Sequence, residues 1–167
     1  MSTAKPLSDK DIEKKLLKHK IIINFVPYHT LKTIKNINDI LPCILLYELH
    51  FPIGHWVALF RNNEGLNYFD STGEIPDALL ETNFEHPCGR VKMGADFTYL
   101  NSLLAQTGEQ IIYNEIPLQT HNTNTCGYWC AVRLLFGQMK QDDFVSEFKN
   151  KKGSERQRLI IRLFETF

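Results

Sequence analysis

Three apolar segments between residues 42 and 70 constrain the fold of this chain more than any other feature of its sequence. The first two, PCILLYEL (42–49) and HWVALFRN (55–62), are rich in the aromatic and branched residues that favour strands. The turn sequence NNEG (62–65) separates the second segment from a third, shorter strand at 66–70. We therefore predict an antiparallel meander whose central strands are apolar on both faces.

Helices and further strands are predicted on both sides of the meander in the sequence. Ser8 and Asp11 form a capping-box pattern, which predicts a short amphipathic helix at about 9–19. At 167 residues the chain is long enough for one hydrophobic core, so we expect a single domain over 1–167. Its predicted fold class is α+β, with a mostly antiparallel sheet and helices on its flanks. The remaining predicted elements are strands at 21–26 and 110–119, a helical turn at 75–81, and helices at 97–106, 126–138, 141–150 and 154–166.

The charge and composition narrow the class of protein. Nineteen Lys and Arg residues balance nineteen Asp and Glu residues, so no overall charge favours nucleic acid or a membrane surface. The N-terminal MSTAKPLSDK lacks the apolar core of a signal peptide, and the longest apolar runs, such as 43–47, are too short to span a bilayer. We therefore expect an intracellular, reducing environment in which the four cysteines stay as thiols.

Two of these cysteines lie close together in the segment QTHNTNTCGYWC. A structural zinc site needs four Cys or His ligands arranged in close pairs. Cys43 and Cys88 are isolated in the sequence, and His121 would supply only a third ligand beside Cys126 and Cys130. The spacing therefore argues against zinc, and it leaves inert buried thiols or a nucleophile as the alternatives.

Cys126 lies at the point where a polar loop becomes a predicted helix. Free N–H groups and the positive end of the helix dipole favour a thiolate at such a position. Gly127 is expected to leave the space beside it open for a substrate backbone. Cys130 follows one helical turn later and is expected to pack into the core as a small apolar residue. Cys126 is thus the candidate nucleophile, and it needs a base, an orienting group and oxyanion donors.

Three polar residues at strand ends are candidates for these roles. His55 begins one strand of the meander and Asp70 ends the next, so antiparallel pairing would bring their side chains together. Gln119 lies seven residues before Cys126, at the end of another predicted strand. Each residue also has a purely structural interpretation. His55 would then cap a strand, Asp70 would begin a turn, and Gln119 would be an exposed strand end.

The wording and order of these motifs resemble those of a known family of enzymes. The motifs are GHWVALF (54–60), YFDSTG (68–73) and Q-x6-CGYWC (119–130), in the order His–Asp–Gln–Cys. They resemble the adenovirus-protease and Ulp1-like clan of cysteine peptidases, and the Gln and Cys spacing is more similar to the adenoviral branch. Similar short proteases occur in virophages, Polinton-type elements and large cytoplasmic DNA viruses, where they mature capsid proteins. The resemblance covers about residues 40–137.

This resemblance implies a role for each candidate residue. His55 would take the proton of the Cys126 nucleophile and later give it to the leaving amine. Asp70 would hold the other nitrogen of the imidazole ring. Gln119 and the Cys126 backbone N–H would stabilise the oxyanion. Trp56 would form a wall of the site, although simple core packing explains a buried tryptophan equally well.

Two other histidines are alternatives for the base. His50 is predicted to lie outside the active end of the meander, and His121 to lie in the loop before the nucleophile. Both therefore rank below His55. No metal and no organic cofactor are implied by the resemblance.

The resemblance implies a papain-like or adenain-like fold and a viral cysteine endopeptidase that cleaves capsid or other virion precursor proteins. The expected location is the virion and the host cell cytoplasm, without a membrane partner. Three alternatives keep the same site: a peptidase or isopeptidase for ubiquitin-like modifiers, an acyltransferase with the same triad, and an inactive scaffold used for binding. As in the adenoviral relatives, an activating peptide or non-specific DNA would be further partners.

Both ends of the chain carry clusters of basic residues. Residues 149–162 hold six Lys and Arg residues against Glu155 alone, and residues 1–20 hold six lysines against three acids. A cluster like this is usually the solvated face of a helix. The alternative hypothesis is that these ends bind DNA through its phosphates, without sequence preference.

Overall fold

The computed structural model contains a five-stranded sheet and flanking helices. Two short 3₁₀ helices, Tyr28–Thr33 and Ile37–Asp39, lie between its first two strands. The residues that the structure describes are 4–50, 53–78, 80, 98–120 and 123–167, with the backbone alone at 49, 50 and 53. The helices and strands in chain order are α1 (Asp9–Lys18), β1 (Asn24–Pro27), β2 (Cys43–His50), β3 (Ile53–Asn62), β4 (Gly65–Phe69), α2 (Tyr99–Ala105), β5 (Ile112–Tyr113), α3 (Cys126–Leu135), α4 (Gln141–Lys149) and α5 (Gly153–Thr166).

The strands are ordered β1–β2–β3–β4–β5 across the sheet. The predicted antiparallel meander is confirmed, since Leu45 pairs with Val57 between β2 and β3, and Leu59 pairs with Tyr68 between β3 and β4. The outer strands are different, because β1 pairs with β2 in parallel and β5 pairs with β4 in parallel. The expectation of a mostly antiparallel sheet is therefore corrected to a mixed sheet. Residues 28–42 are long enough for the crossover that a parallel β1–β2 pair requires.

The N-terminal helix begins at the predicted capping box. The Asp11 N–H donates to Ser8 Oγ at 3.2 Å, and the Ser8 N–H donates to Asp11 Oδ2 at 3.0 Å. This reciprocal pair satisfies two backbone donors that a helix N-terminus leaves without partners. The predicted capping box is therefore confirmed, and α1 ends at Lys18, within a residue of the expected position.

Two hydrophobic clusters cover the two faces of the sheet. Val57 and Leu59 of β3 enter the first cluster, and Ala58 and Phe60 enter the second, because successive strand residues point to opposite faces. The prediction that a central strand is apolar on both faces is thus confirmed for β3. Helix α2 covers the first face, and α1, α3, α4 and α5 pack on the second.

Some predicted elements are shorter in the structure or lie partly outside its described part. The predicted strand at 110–119 pairs with β4 only at Ile112–Tyr113. The first predicted strand, 21–26, is shifted to Asn24–Pro27. Positions 79 and 81 of the predicted helical turn lie outside the described residues. The same holds for position 97, the first residue of the predicted helix at 97–106. No helix in the described part of the chain combines the length and the hydrophobicity that a membrane span requires.

Candidate active site

The register of β3 and β4 brings His55 and Asp70 together. Ala58 is opposite Phe69 in this antiparallel pair. Position 57 therefore faces position 70, and His55 is the diagonal neighbour of Asp70 on the same face of the sheet. The His55 Nε2 and Asp70 Oδ1 atoms are 2.7 Å apart. Both side chains are buried: His55 is 7% exposed and Asp70 is fully buried.

The carboxylate of Asp70 is held in place by the turn that follows it. The Thr72 backbone N–H and hydroxyl donate to Asp70 Oδ1 at 2.8 and 2.6 Å. The same oxygen therefore accepts from Thr72 and faces the His55 ring. The other carboxylate oxygen, Oδ2, is buried and has no hydrogen-bond partner among the described residues. Among the described residues, the hydrogen bonds of the Asp70 carboxylate thus all go to one of its two oxygen atoms.

Cys126 is the first residue of α3, as predicted. The preceding Thr125 makes no side-chain capping bond, and Cys126 lies in the first turn, where the positive end of the helix dipole acts. The thiol and the His55 side chain are close enough for each to shift the pKa of the other. Because Nε2 of His55 faces Asp70, Nδ1 is the ring nitrogen left for the thiol. The structure therefore gathers Cys126, His55 and Asp70 into one row, in which His55 stands between the other two.

The electrostatics of this row favour an ion pair. Burial alone would raise the pKa of the Cys126 thiol, but the neighbouring His55 side chain and the backbone N–H groups at Trp56 and Gly127 lower it below its usual value. Burial also opposes the charged form of His55, but Asp70 and Cys126 raise the pKa of this imidazole to about 10. The two shifts have opposite directions, so a thiolate and an imidazolium coexist at pH values between the two pKa values.

The other described cysteines lack this environment. Cys130 is fully buried, and its Sγ donates to the Trp56 carbonyl oxygen at 3.3 Å. Burial raises the pKa of the Cys130 thiol well above its usual value, and burial raises that of Cys43 to about 12. Cys43, Cys126 and Cys130 are all free thiols. Of the three, only Cys126 has the low pKa that a nucleophile requires.

Gln119 lies beside the turn after Asp70. Its Oε1 accepts from the Ser71 hydroxyl at 2.8 Å, its Nε2 donates to the Thr123 carbonyl at 2.7 Å, and its backbone N–H donates to the Ser71 carbonyl. In the described part of the chain, its amide bonds go to Ser71 and Thr123 rather than to Cys126. An amide nitrogen carries two hydrogens, so one N–H of Gln119 is left for another acceptor.

Gly127 does not leave open space, and this expectation is corrected. A Cβ atom at Gly127 would lie 3.2 Å from Ile12 Cδ1 and 3.3 Å from Leu7 Cβ. The residue therefore lets the N-terminal segment and α1 approach α3 closely. Trp56 packs partly buried at the same place and contacts Phe25 edge to face, with ring centroids 6.0 Å apart.

Sequence reasoning missed three residues that hold the candidate site. Ser71 and Thr72 fix the Gln119 amide and the Asp70 carboxylate, and the buried Asn114 binds the Asp70 backbone. A signal for Thr72 was available, because an aspartate side chain often accepts from the backbone N–H two residues further on in a turn. Asn114 stands beside the charged Glu115 in IIYNEIP, so no local pattern of the sequence marks it as a buried hydrogen-bonding residue.

The alternative bases and a metal centre gain no further support. His121 lies outside the described residues, and of His50 only the backbone is described. Across the described ranges, no group of three or more His, Cys, Asp or Glu residues is arranged to hold a metal ion. His55 remains the histidine that contacts Cys126.

Fold and site together define an α+β protein with a buried Cys–His–Asp chain at the end of a mixed sheet. No family model matches the sequence. The chain is 33% identical over 126 residues to the uncharacterized protein V9 of Sputnik virophage, and the match covers 71% of each protein. The chain belongs to the same family as this virophage protein. The relationship supports a viral origin.

Proposed function

We propose that this protein is a cysteine endopeptidase that cleaves capsid or other virion precursor proteins. The observation that carries the proposal is the chain of contacts from Asp70 through His55 to Cys126, in which the thiol is at a helix N-terminus. Such a chain supplies a nucleophile, a base and a group that orients the base. Peptide-bond hydrolysis uses all three.

The proposed reaction proceeds in two halves. The Cys126 thiolate attacks the carbonyl carbon of the peptide bond, and the tetrahedral intermediate collapses to a thioester as His55 protonates the leaving amine. Water then attacks the thioester while His55 accepts its proton, and the carboxylic acid leaves with Cys126 restored. The Cys126 backbone N–H and the remaining N–H of Gln119 are the proposed oxyanion donors.

The papain-like or adenain-like fold belongs to this proposal. Two features support it: a nucleophile at the start of a helix that packs on the sheet, and a His–Asp pair carried by two adjacent antiparallel strands. The order His55, Asp70, Gln119, Cys126 along the chain resembles the adenoviral enzymes rather than enzymes in which the cysteine comes first.

The choice of virion precursors as substrates has separate support. The chain shares a family with a virophage protein, which supports a viral origin, and the short viral proteases that its motifs resemble act on virion precursors. The proposed location follows from this role, namely the assembling virion and the host cell cytoplasm. Viral structural precursor polypeptides are therefore the proposed partners.

A panel of substrates tests the proposal. The purified protein is incubated with capsid-precursor polypeptides, with precursors of ubiquitin-like modifiers, and with an acyl donor plus an amine acceptor. We expect cleavage of the capsid precursors at defined sites, and no cleavage by Cys126→Ala. Preferential cleavage of the modifier precursors would instead identify a modifier peptidase or isopeptidase, and transfer to the amine would identify an acyltransferase. No turnover of any class, with Cys126 unreactive, would contradict the enzyme proposal altogether.

Non-specific DNA is a further proposed partner, and one structural observation favours it. The Lys15 ammonium donates to the Glu165 carbonyl at 3.2 Å, and His19 Nε2 lies 2.7 Å from the Phe167 carbonyl. These contacts join α1 to α5, so the two basic ends of the chain form neighbouring parts of one surface. We name this surface the terminal basic surface; its exposed members on the two helices are Lys10, Lys14, Lys18, Arg158 and Arg162. An activating peptide remains a proposal that rests on the resemblance alone.

A further inference from the structure

A buried asparagine stands where the sheet ends next to the candidate site. Asn114 directly follows β5 and is 3% exposed. The last pair of the β4–β5 ladder joins Tyr68 to Tyr113, so the backbone of β5 leaves β4 before Asp70 is reached. The side chain of Asn114 continues the pairing that the backbone has ended.

This side chain binds the Asp70 peptide groups on both sides. The Asp70 N–H donates to Asn114 Oδ1 at 3.2 Å, and Asn114 Nδ2 donates to the Asp70 carbonyl at 2.6 Å. The amide therefore copies the donor and acceptor pattern of a neighbouring strand. Because β4 has ended at Phe69, the Asp70 backbone is held by these two bonds and by the turn itself, in which the Gly73 N–H donates to the Asp70 carbonyl at 3.0 Å.

A second layer fixes the amide itself. Gln141 Nε2 donates to Asn114 Oδ1 at 3.2 Å, and Gln141 Oε1 accepts from Arg133 Nε at 3.0 Å. Gln141 and Arg133 are buried, at 1% and 0% exposure, and the guanidinium carbon lies 4.6 Å from the centre of the Phe60 ring. Each group in this row has its orientation set by the next, so Asn114 has little freedom to rotate.

We propose that Asn114 is a positioning residue, which holds Asp70 at the distance that lets it polarise His55 and, through His55, Cys126. This inference rests on the proposed function, since it assigns a role within the same Cys–His–Asp chain. A displacement of the Asp70 backbone moves Oδ1 away from His55 Nε2, and the charge-assisted bond between them weakens steeply with distance. Asn114 thus acts on the reacting thiol without touching it.

The test measures how the thiol of Cys126 ionises. The full-length protein is treated with iodoacetamide at pH values over a test range of about 4 to 10. Mass spectrometry of the peptide that contains Cys126 then gives the alkylation rate at each pH. In the wild type we expect a rate that rises at low pH, because His55 favours the thiolate. In Asn114→Ala we expect the midpoint to move up by about one pH unit, because His55 has lost part of its support from Asp70.

Asn67→Ala is the matched control. Asn67 is a fully buried asparagine on β4. Its Nδ2 binds Asn62 Oδ1 and the Gly65 carbonyl, at the end of β4 that is remote from Asp70. Both variants remove a buried amide and should lower the melting temperature. Only Asn114→Ala should move the alkylation midpoint. Equal midpoint shifts in the two variants, or no shift in either, would show that Asn114 supports stability alone.

A milder variant keeps the test decisive if Asn114→Ala fails to fold. In Asn114→Ser a hydroxyl can serve one of the two Asp70 peptide groups, so we expect a smaller midpoint shift in the same direction. An unshifted midpoint in a folded Asn114→Ser protein would overturn the positioning role. If Cys126 of the wild type shows no reactivity at low pH, the proposed enzyme function fails together with the positioning role. If the wild type reacts at low pH and the Asn114 and Asn67 variants behave alike, only the positioning role fails.

Discussion

The two cysteines of α3 are one helical turn apart and yet lie in opposite electrostatic environments. The neighbouring His55 lowers the pKa of the Cys126 thiol, whereas burial raises the pKa of the Cys130 thiol. The helix dipole adds to the difference, because its positive end acts mainly on the first turn. Two cysteines of one helix therefore differ in how readily their thiols ionise.

This difference predicts different outcomes for two alanine variants. Cys126→Ala should keep its melting temperature within a few degrees and lose all measurable activity, because no other group supplies the nucleophile. Cys130→Ala should keep activity but lose about 1–2 kcal/mol of stability, since a filled core position is emptied. Iodoacetamide should label Cys126 first in the wild type. Complete loss of activity in Cys130→Ala at unchanged stability would reverse the assignment.

Substitutions of Asp70 should separate its geometry from its charge. Asp70→Asn keeps an oxygen that can accept from Thr72 and from His55, so we expect a loss of about tenfold in kcat/KM, whereas Asp70→Ala should lose about 100-fold or more. In Asp70→Asn the imidazolium has lost its carboxylate, and the pKa of His55 falls from about 10. The alkaline limb of the pH–activity profile should therefore move to lower pH. Wild-type activity in Asp70→Ala would exclude Asp70 from the site.

Gln119 and Ser71 should affect the transition state more than substrate binding. Gln119→Ala removes a proposed oxyanion donor, and we expect kcat to fall about 100-fold with little change in KM. Ser71→Ala removes the hydroxyl that fixes the Gln119 Oε1, so the amide can rotate and a smaller loss in kcat is expected. Steady-state kinetics on one cleaved peptide checks both. A rise in KM at constant kcat in Gln119→Ala would assign this residue to substrate binding instead.

The sequence identified the candidate reacting residues more readily than the residues that hold them. His55 and Asp70 were predicted as neighbours because strand pairing follows from the meander, and a diagonal contact follows from strand pairing. Asn114 and Gln141 meet through a packing of separate elements that no local pattern encodes. The contact between Gly127 and α1 has the same origin, which is why the space beside this glycine was expected to be open.

At the scale of elements, the turn after β4 depends on the close approach of a neighbouring segment. Gly73 has a φ of +77°, and its N–H donates to the Asp70 carbonyl at 3.0 Å. A Cβ atom at Gly73 would lie 2.7 Å from the Pro117 nitrogen and 2.9 Å from the Ile116 carbonyl carbon. These are backbone atoms, which cannot move aside as a flexible side chain can.

Gly73→Ala should therefore destabilise the protein by more than backbone strain alone. We expect a loss of about 2–4 kcal/mol in the free energy of unfolding, measured by urea titration. Gly108 is the matched control, because its φ of +66° is similar and a Cβ atom there would meet no atom of the described residues within 4 Å. Gly108→Ala should cost only about 1 kcal/mol. Equal losses in the two variants would mean that the contact with Pro117 carries no energy.

Strand direction and strand length were the parts of the fold that local patterns did not determine. The apolar segment at 21–26 predicts a strand but contains no information on whether β1 runs parallel to β2. In the predicted strand at 110–119, Pro117 has no N–H for a ladder, and Asn114 turns its side chain to Asp70 instead. The N–H groups of Leu118 and Gln119 then donate to the Ser71 carbonyl, outside the sheet. Tertiary contacts therefore overrode the strand propensity of these residues.

At the scale of the whole molecule, the fold brings the two ends of the chain together. Helices α1 and α5 both pack on the second hydrophobic cluster, and Lys15 lies 5.1 Å from the centre of the Phe164 ring. A chain whose basic and acidic residues are equal in number can still present a local positive field when its basic segments become neighbours. The terminal basic surface is such a region. It includes the exposed face of α5, while the opposite face of this helix packs on the second hydrophobic cluster.

The proposed binding of DNA to the terminal basic surface predicts a strong dependence on salt. Binding of a labelled duplex is measured by fluorescence anisotropy at test salt concentrations of about 50 and 200 mM. Binding should not depend on the DNA sequence, and it should weaken steeply at the higher salt concentration because phosphate contacts release counterions. Arg158 and Arg162 are exposed on α5, whereas Arg156 donates to the Pro117 carbonyl and Lys151 to the Glu147 carbonyl. The first pair is therefore the better choice for substitution.

The Arg158→Gln and Arg162→Gln double variant should bind DNA more weakly at low salt. Its slope of log affinity against log salt should also be smaller in magnitude by about 2, because each lost phosphate contact lowers the magnitude of the slope by about 0.9. The matched control changes two exposed lysines near the 3₁₀ helices, Lys32 and Lys35, to Gln. It removes the same charge from another part of the surface and should leave the slope unchanged. Equal effects of the two double variants would point to net charge alone, and an absence of binding at low salt would leave α5 with a packing role only.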